Sequence, residues 1–352
     1  MQEDIQVWVF MEVGLSNRRS LVTGGGGFIG SHLVRQLLEQ GDTVRVLELP
    51  GVPLPSAVEV VRGTVCDASV VRRALKGVQR VYHLAGNPNL WARDKNEFQR
   101  VNYEGTCTIF SEAAKQDLEV VVYTSTESIL TGSTRRDSPV NATVQRKFNE
   151  MPGPYCRSKF LAEQTAFQAA RDGLPVVIVA PTLPVGPGDR LVTPPTRMIM
   201  DFINIRTPAY LDCGFNLVDV RDVAKGHILA AEHGRSGERY ILGKENLMLS
   251  ELLRFIEDIT GLVMPKVQVP YWLALTAGVL SEFLADYITH RPPRALLTGV
   301  RLAHYPMFFE SDKAIDELSF PQSPLYQALV DEVEWLLSEG MITRHLPLQQ
   351  RI

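Results

Sequence analysis

The segment Leu21-Val-Thr-Gly24-Gly-Gly-Gly27-Phe-Ile-Gly30 constrains this 352-residue chain more than any other. A short apolar run ends at a glycine cluster, and a helical apolar pattern follows from Ile29 to Gln40 and stops at Gly41. Gly24, Gly27 and Gly30 fall in a G-x-x-G-x-x-G spacing. Glycine at these places permits a tight turn and lets bare backbone approach a pyrophosphate. It also opens the N-terminus of the next helix to phosphate charge. A glycine cluster alone also describes a flexible turn. Between an apolar strand and an amphipathic helix it reads as the phosphate loop of a dinucleotide site.

The first half of the chain repeats this strand–helix rhythm. Strands are expected at 43–47, 58–62, 81–84, 120–124 and 176–179, and helices at 69–75, 97–115 and 155–171. The alternation predicts an α/β fold built on a Rossmann-type doubly wound parallel sheet. After Pro181 the rhythm changes. Pro184, Pro187, Pro194 and Pro195 crowd a loop-rich stretch, short strands are read at 218–223 and 239–242, and helices at 250–260, 271–287 and 324–339. The expected organisation is an N-terminal extension over 1–19, a dinucleotide-binding domain over 20–181, and a smaller C-terminal lobe over 182–352. That lobe is read as mainly substrate-binding, with segments near 218–242 returning to the first domain.

Several functional classes drop out. A net charge of −4 and a pI near 6.0 point to neither a nucleic-acid nor an anionic-membrane partner. The longest later apolar run, 272–280, is followed by Glu282 and Asp286 and is too short to span a bilayer, so no membrane insertion is expected. Cys66, Cys107, Cys156 and Cys213 are scattered, without metal-ligand spacing to each other or to histidines. No metal is expected, and a reducing, cytoplasmic setting fits.

Four features carry chemistry. Glu48 ends the second strand, where an acid accepts hydrogen bonds from ribose hydroxyls and repels a 2′-phosphate; no arginine follows in Leu49-Pro50, so NAD is favoured over NADP. An exposed strand-end glutamate is the plain alternative. Tyr155 and Lys159 lie four apart on one helix face, so the ammonium is expected to draw the phenol down from its usual pKa of about 10. That pair suits general acid/base work, and a helix-surface pair is the bland alternative. Thr126, with Ser125 as its rival, follows a strand end where a hydroxyl can orient a substrate oxygen; loop capping would explain either. Asn102 is read as the anchor of a water-linked proton path to Lys159, or else as a helix cap.

With these motifs placed, the chain resembles the extended short-chain dehydrogenase/reductases, the NAD-dependent epimerase/dehydratase family. The carriers are TGGGGFIG (23–30), His83 to Gly86, VNYEGT (101–106), TST (124–126), YCRSK (155–159) and PVGPGD (184–189). The resemblance implies catalysis by Tyr155, Lys159, Thr126 and Asn102. It also implies cofactor contacts at Gly24, Gly27, Phe28, Ile29, Gly30, Glu48, Thr64, Val65, Leu84, Ala85, Gly86, Thr124, Tyr155, Lys159 and Pro181. A homodimer through a four-helix bundle is implied as well, from the helices beginning near Glu97 and Tyr155. A narrower likeness runs through LWARD (90–94), LPVVIVAPTLPVGPGD (174–189) and PAYLDCGFNLVDVRDVAKGH (208–227). It is to the hopanoid-associated sugar epimerases, close to the dihydroflavonol-reductase-like branch.

Three departures stand out. Gly63-Thr64-Val65 replaces a Gly-Asp-hydrophobic adenine contact, Gly86 replaces an alanine, and Phe215-Asn216-Leu217 replaces Arg-Asp-Phe/Tyr. The missing arginine removes a bidentate phosphate partner that a nucleotide diphosphate would want. The expectation is therefore an NAD(P)-dependent oxidoreductase acting on a secondary alcohol/ketone carbon of a small-molecule substrate. Trp91, Thr126, Phe215 and Asn216 are its substrate-pocket candidates, with ordinary packing the alternative for Trp91 and Phe215. A nucleotide-sugar epimerase or dehydratase with tightly held NAD is the alternative activity. A non-catalytic dinucleotide sensor is disfavoured because both Tyr155 and Lys159 are present.

Overall fold

The computed structural model describes residues 18–132, 137–205, 208–293 and 295–347. Residues 1–17 of the expected extension lie outside that description, and Arg19 already belongs to the first strand. In chain order the first half contains β1 (Arg19–Thr23), α1 (Phe28–Glu39), β2 (Thr43–Glu48), β3 (Glu59–Arg62), α2 (Ala68–Leu75) and β4 (Arg80–His83). It continues with α3 (Asn96–Phe98), a π-helical turn Gln99–Glu104, α4 (Gly105–Ala113), β5 (Val120–Thr124), α5 (Pro154–Arg171) and β6 (Val176–Pro181). The second half contains β7 (Leu183–Val185), α6 (Pro194–Asn204), β8 (Ala209–Tyr210), β9 (Gly214–Asp219), α7 (Val220–His233) and β10 (Arg239–Leu242). It ends with β11 (Glu245–Met248), α8 (Leu249–Thr260), β12 (Val267–Gln268), α9 (Tyr271–Leu284), α10 (Leu297–Leu302), α11 (Asp312–Leu318) and α12 (Leu325–Ser338).

Seven strands form one parallel sheet in the order β10-β6-β5-β4-β1-β2-β3. β5 and β6 are buried along their whole length, as strands covered on both faces require. Alternation sorts their side chains between two cores. Val22, Val122 and Val179 face α1 and α7, whereas Leu21, Val121 and Ile178 face α2, α4 and α5. The chain reverses its winding between β1 and β4, and the crevice at the C-terminal ends of those strands is where ligands of such sheets bind.

The lobe packs a β11-β9-β7 sheet with α6, α8 and α12 around Ile199, Leu252, Ile256, Leu329 and Leu336. Three readings are corrected here. The strand expected at 218–223 ends at Asp219, whose side chain accepts from Arg221 N–H and starts α7; the valines beyond it serve a helix. Pro194 and Pro195 open α6 instead of lying in a loop, since the first helical turn needs no N–H partner. The helix expected at 97–115 is interrupted by the π turn that carries Asn102.

The tie that holds α5 to the sheet is a buried ion pair. Arg239 of β10 donates from Nη1 to Glu163 Oε1 at 2.7 Å, and Ser125 Oγ, just past β5, donates to Glu163 Oε2 at 2.6 Å. Arg239 also donates to the carbonyls of Ala142 and Val144. Removing one partner leaves the other charge uncompensated in the interior. Glu163→Ala is therefore expected to lose roughly 3–5 kcal/mol of stability in urea unfolding. A loss below about 1 kcal/mol, the scale of an exposed pair, would contradict this role.

Candidate active site

The glycine loop has the shape of a cradle. Gly24 sits at φ +72°, and an added Cβ would fall 2.9 Å from Ala85 Cα. A Cβ on Gly30 would lie 2.2 Å from the Gly24 carbonyl oxygen, so only glycine lets α1 pack against the turn. Gly27 N–H closes that turn on Gly24 O at 3.1 Å. α1 starts at Phe28 with no side-chain cap and no acid in its first turn, which leaves its first N–H groups, around Phe28, Ile29 and Gly30, suited to an anion. These features fit a dinucleotide pyrophosphate.

Glu48 ends β2 and is 9% exposed, with Oε2 accepting from Gly26 N–H and Oε1 from Leu49 N–H, each at 2.9 Å. Local sequence shows no arginine beside it, but the sheet supplies one. Arg62 is the register partner of Glu48 and donates to the carbonyls of Leu49 and Val52. Thr64 Oγ1 accepts from Cys66 N–H, and Val65 is buried under Gly105. The nearest acid, Asp67, caps α2.

A hydrogen-bonded chain joins the cofactor side to the catalytic side. Ala85 N–H donates to Thr23 Oγ1 (3.1 Å), whose hydroxyl meets His83 Nδ1 (2.8 Å). His83 Nε2 lies 2.9 Å from Thr106 Oγ1, which donates to the carbonyl of Asn102. Burial, with the Lys159 charge adding to it, pulls His83 down to about 3, so the ring is neutral. Asn102 lies within the π turn, and the direct hydrogen bonds of its side chain go to Asn87 and Ser158. Its Oδ1 accepts from Asn87 N–H (2.7 Å), and its Nδ2 donates to Asn87 O and to Ser158 Oγ. Gly86 has a reason to be small, since a Cβ there would sit 3.1 Å from Asn102 Oδ1. Leu84 continues β4, with its N–H on Thr23 O.

Tyr155 and Thr126 are brought together at the end of β5. Tyr155 is 9% exposed, with Phe98 packed edge-on at 6.3 Å. The expected lowering of its pKa is corrected. Burial holds the phenol above its ordinary value, because Lys159 directs its Nζ to the carbonyl of Thr124 at 2.6 Å. Burial in turn pulls Lys159 down to about 8, against the attraction of Glu163. Ser125, the rival of Thr126, is committed to Glu163. Thr126 also caps the short turn Glu127–Ile129, accepting from Ser128 N–H.

Thr124 uses its carbonyl on Lys159 and its hydroxyl on His227 Nε2 (2.9 Å), while Pro181 is buried at the end of β6. Trp91 donates from Nε1 to Asp286 Oδ1 at 2.7 Å, pinning the 90–95 segment to the turn after α9. The structure places Phe215 and Asn216 inside the lobe, both 2% exposed, instead of on an open pocket wall. The amide of Asn216 engages Thr182, Lys244, Asn246 and the carbonyl of Phe309, which binds β9 to β11.

Sequence reasoning gave Glu127 no role. It is 4% exposed, flanked by hydroxyls donating from Thr126 to Oε2 and from Ser128 to Oε1, each at 3.1 Å. Burial pushes its carboxyl up to about 7. The one available signal was an acid between two hydroxyl residues just past a strand end.

Residues 20–243 match the NAD dependent epimerase/dehydratase family. The chain belongs to that family. It is 39% identical to a candidate dihydroflavonol 4-reductase of Synechocystis sp., over 91% of this chain and 95% of the relative. It is 32% identical to sterol demethylase protein B of Methylococcus capsulatus, over 92% of this chain and 99% of that protein. Among solved structures, that of gox2253 superposes with a TM-score of 0.82 at 35% identity, covering 93% of this chain and all of the other. This epimerase/dehydratase-family chain is thus an NAD(P)-dependent enzyme of the extended short-chain dehydrogenase/reductase type.

Glu127 gives the site a pH signature. Its folded pKa is raised, so its contribution to stability is full below the unfolded value near 4.5 and is lost as pH rises through about 7. Relative to Glu127→Gln, the native chain is expected to lose on the order of 3 kcal/mol between pH 4 and 8. Parallel pH profiles for the two proteins would show that Glu127 is not held protonated.

Proposed function

We propose that this enzyme transfers hydride at a secondary alcohol/ketone carbon of a bulky, largely apolar substrate, with Tyr155 as its acid/base. The observation that carries the reading is the juxtaposition of Tyr155 and Thr126 at the end of β5, with the Lys159 ammonium fixed behind them on Thr124 O. In the reductive direction Thr126 orients the substrate carbonyl oxygen, and Tyr155, protonated at neutral pH, delivers its proton to that oxygen. Lys159, held on Thr124 O, fixes the exit of β5 behind Thr126, and Asn102 positions Ser158 and the start of α5. NADH supplies the hydride when bound, and NAD accepts it in the reverse direction.

Gly24, Gly27, Phe28, Ile29 and Gly30 would hold the pyrophosphate, and Glu48 the adenosine ribose. Thr64, Val65, Leu84, Ala85, Gly86, Thr124 and Pro181 would line the rest of the cleft. Trp91 would border the substrate side. In this reading residues 20–181 form the dinucleotide-binding domain, joined by α7 and β10, and the rest of 182–352 is chiefly the substrate lobe. Two copies would pair in the cytoplasm as a four-helix bundle, through α5 and the helical stretch that begins near Glu97 and runs from α3 through α4.

An apolar substrate is supported by β9, which carries Phe215-Asn216-Leu217 with no arginine for a diphosphate. The sterol and flavonol chemistry in the names of the two relatives points the same way. The purified protein is expected to elute from gel filtration without bound dinucleotide, and to oxidise NADH when offered apolar ketones. Stoichiometric NAD in the denatured supernatant, with turnover of nucleotide sugars only, would replace this reading by an epimerase or dehydratase.

A further inference from the structure

α9 is out of keeping with the rest of the surface. Its sequence, YWLALTAGVLSEFL, is mostly apolar, yet Gly278 is its one buried residue, packed on Leu297 and Val300 of the α10 segment. Trp272, Leu280, Phe283, Tyr287 and Ile288, running through α9 and the π-helical turn Ala285–Thr289, are 54% to 72% exposed. Positions 272, 276, 279/280, 283 and 287 recur at helical spacing, so these side chains form one outward stripe. A soluble surface seldom leaves such a patch uncovered.

The charges around the stripe are sorted. Glu282 and Asp286 are the two acids between positions 263 and 305, and both turn inward. They meet Lys95 Nζ at 3.3 and 3.2 Å, and Trp91 donates to Asp286. Lys266 before the stripe, Arg291 after it and Arg301 on α10 are exposed, and no ion pair engages them among the described residues. A net charge of −4 averages over the whole chain and hides this basic border. The α9–α10 hairpin also roofs the site. Thr298 packs on Gly153, which precedes the helix of Tyr155, and Leu90 packs near Gly299.

We propose that the outer face of α9 docks on an anionic lipid bilayer, lying in the boundary between headgroups and acyl chains. Tryptophan, tyrosine and phenylalanine beside aliphatic side chains suit that boundary, and the basic border suits acidic headgroups. The 14 residues of α9 make a helix of about 21 Å, short of the roughly 30 Å hydrocarbon core, so the helix lies on the membrane. Among the described residues no helix is long and apolar enough to cross. A second copy packed face to face on this stripe would bring one basic border against another, which disfavours that occupant. Docking would place the mouth of the site where an apolar substrate partitions. It stands apart from the hydride-transfer reading, since it is measured without turnover.

The test is co-flotation of the full chain with vesicles of phosphatidylcholine, with and without phosphatidylglycerol. Binding is expected to be stronger with phosphatidylglycerol by about tenfold or more, and Leu280→Glu/Phe283→Glu to lower it by a similar factor. Arg291→Glu/Arg301→Glu should remove the preference for phosphatidylglycerol while keeping the apolar face. Both variants should keep the native Tm and NADH affinity. Absence of flotation with either vesicle, or equal flotation of all three proteins, would overturn the proposal. A concentration-dependent dimer abolished by Leu280→Glu/Phe283→Glu, without vesicle binding, would assign the face to a second copy.

Discussion

A half-buried cation sets the geometry of this site. Lys159 carries its ammonium under the end of β5 and gives it to the Thr124 carbonyl at 2.6 Å. Burial alone would favour the neutral amine, and the pKa near 8 shows how far it does. Glu163, one turn along α5, opposes that loss and is itself held by Arg239 and Ser125. These contacts fix α5 against the exit of β5. With both held, the phenol of Tyr155 and the hydroxyl of Thr126 have little choice but to meet. The pair proposed for catalysis follows from how the protein places the Lys159 ammonium and the buried Glu163 carboxylate.

A second constraint comes from the winding of the sheet. Reversal between β1 and β4 opens a crevice, and the chain Ala85–Thr23–His83–Thr106–Asn102 spans it with neutral groups. Because His83 stays neutral down to about pH 3, this link keeps one arrangement across the working range. It couples the strand that enters the glycine loop to the π turn that positions Ser158 and α5. Substitutions on the cofactor side can therefore disturb the acid/base side without touching it.

Features written locally in the chain were legible. The glycine spacing, the strand ending at Glu48 and the Tyr155–Lys159 offset each need only a few residues of context. Features set by tertiary partners were not. Arg62 reaches the Glu48 loop through strand register, thirteen positions from Leu49. Asn216 looked like a pocket residue because its polarity is visible and its four partners are not. The direction of the Tyr155 pKa depends on burial and on where Lys159 points, neither of which the i, i+4 spacing contains. The valines at 218–223 carry a strand-like signal on both sides of Asp219, and one capping side chain divides them.

The most direct measurement is turnover and NADH affinity of Tyr155→Phe on a carbonyl substrate that the native enzyme reduces. Phenylalanine keeps the ring packed on Phe98 and removes the transferable proton. Turnover is expected to fall by roughly 10²–10⁴-fold, with the NADH dissociation constant within about twofold of native. Near-native turnover in the folded variant would contradict Tyr155 as the acid/base and move that role to another group in the site.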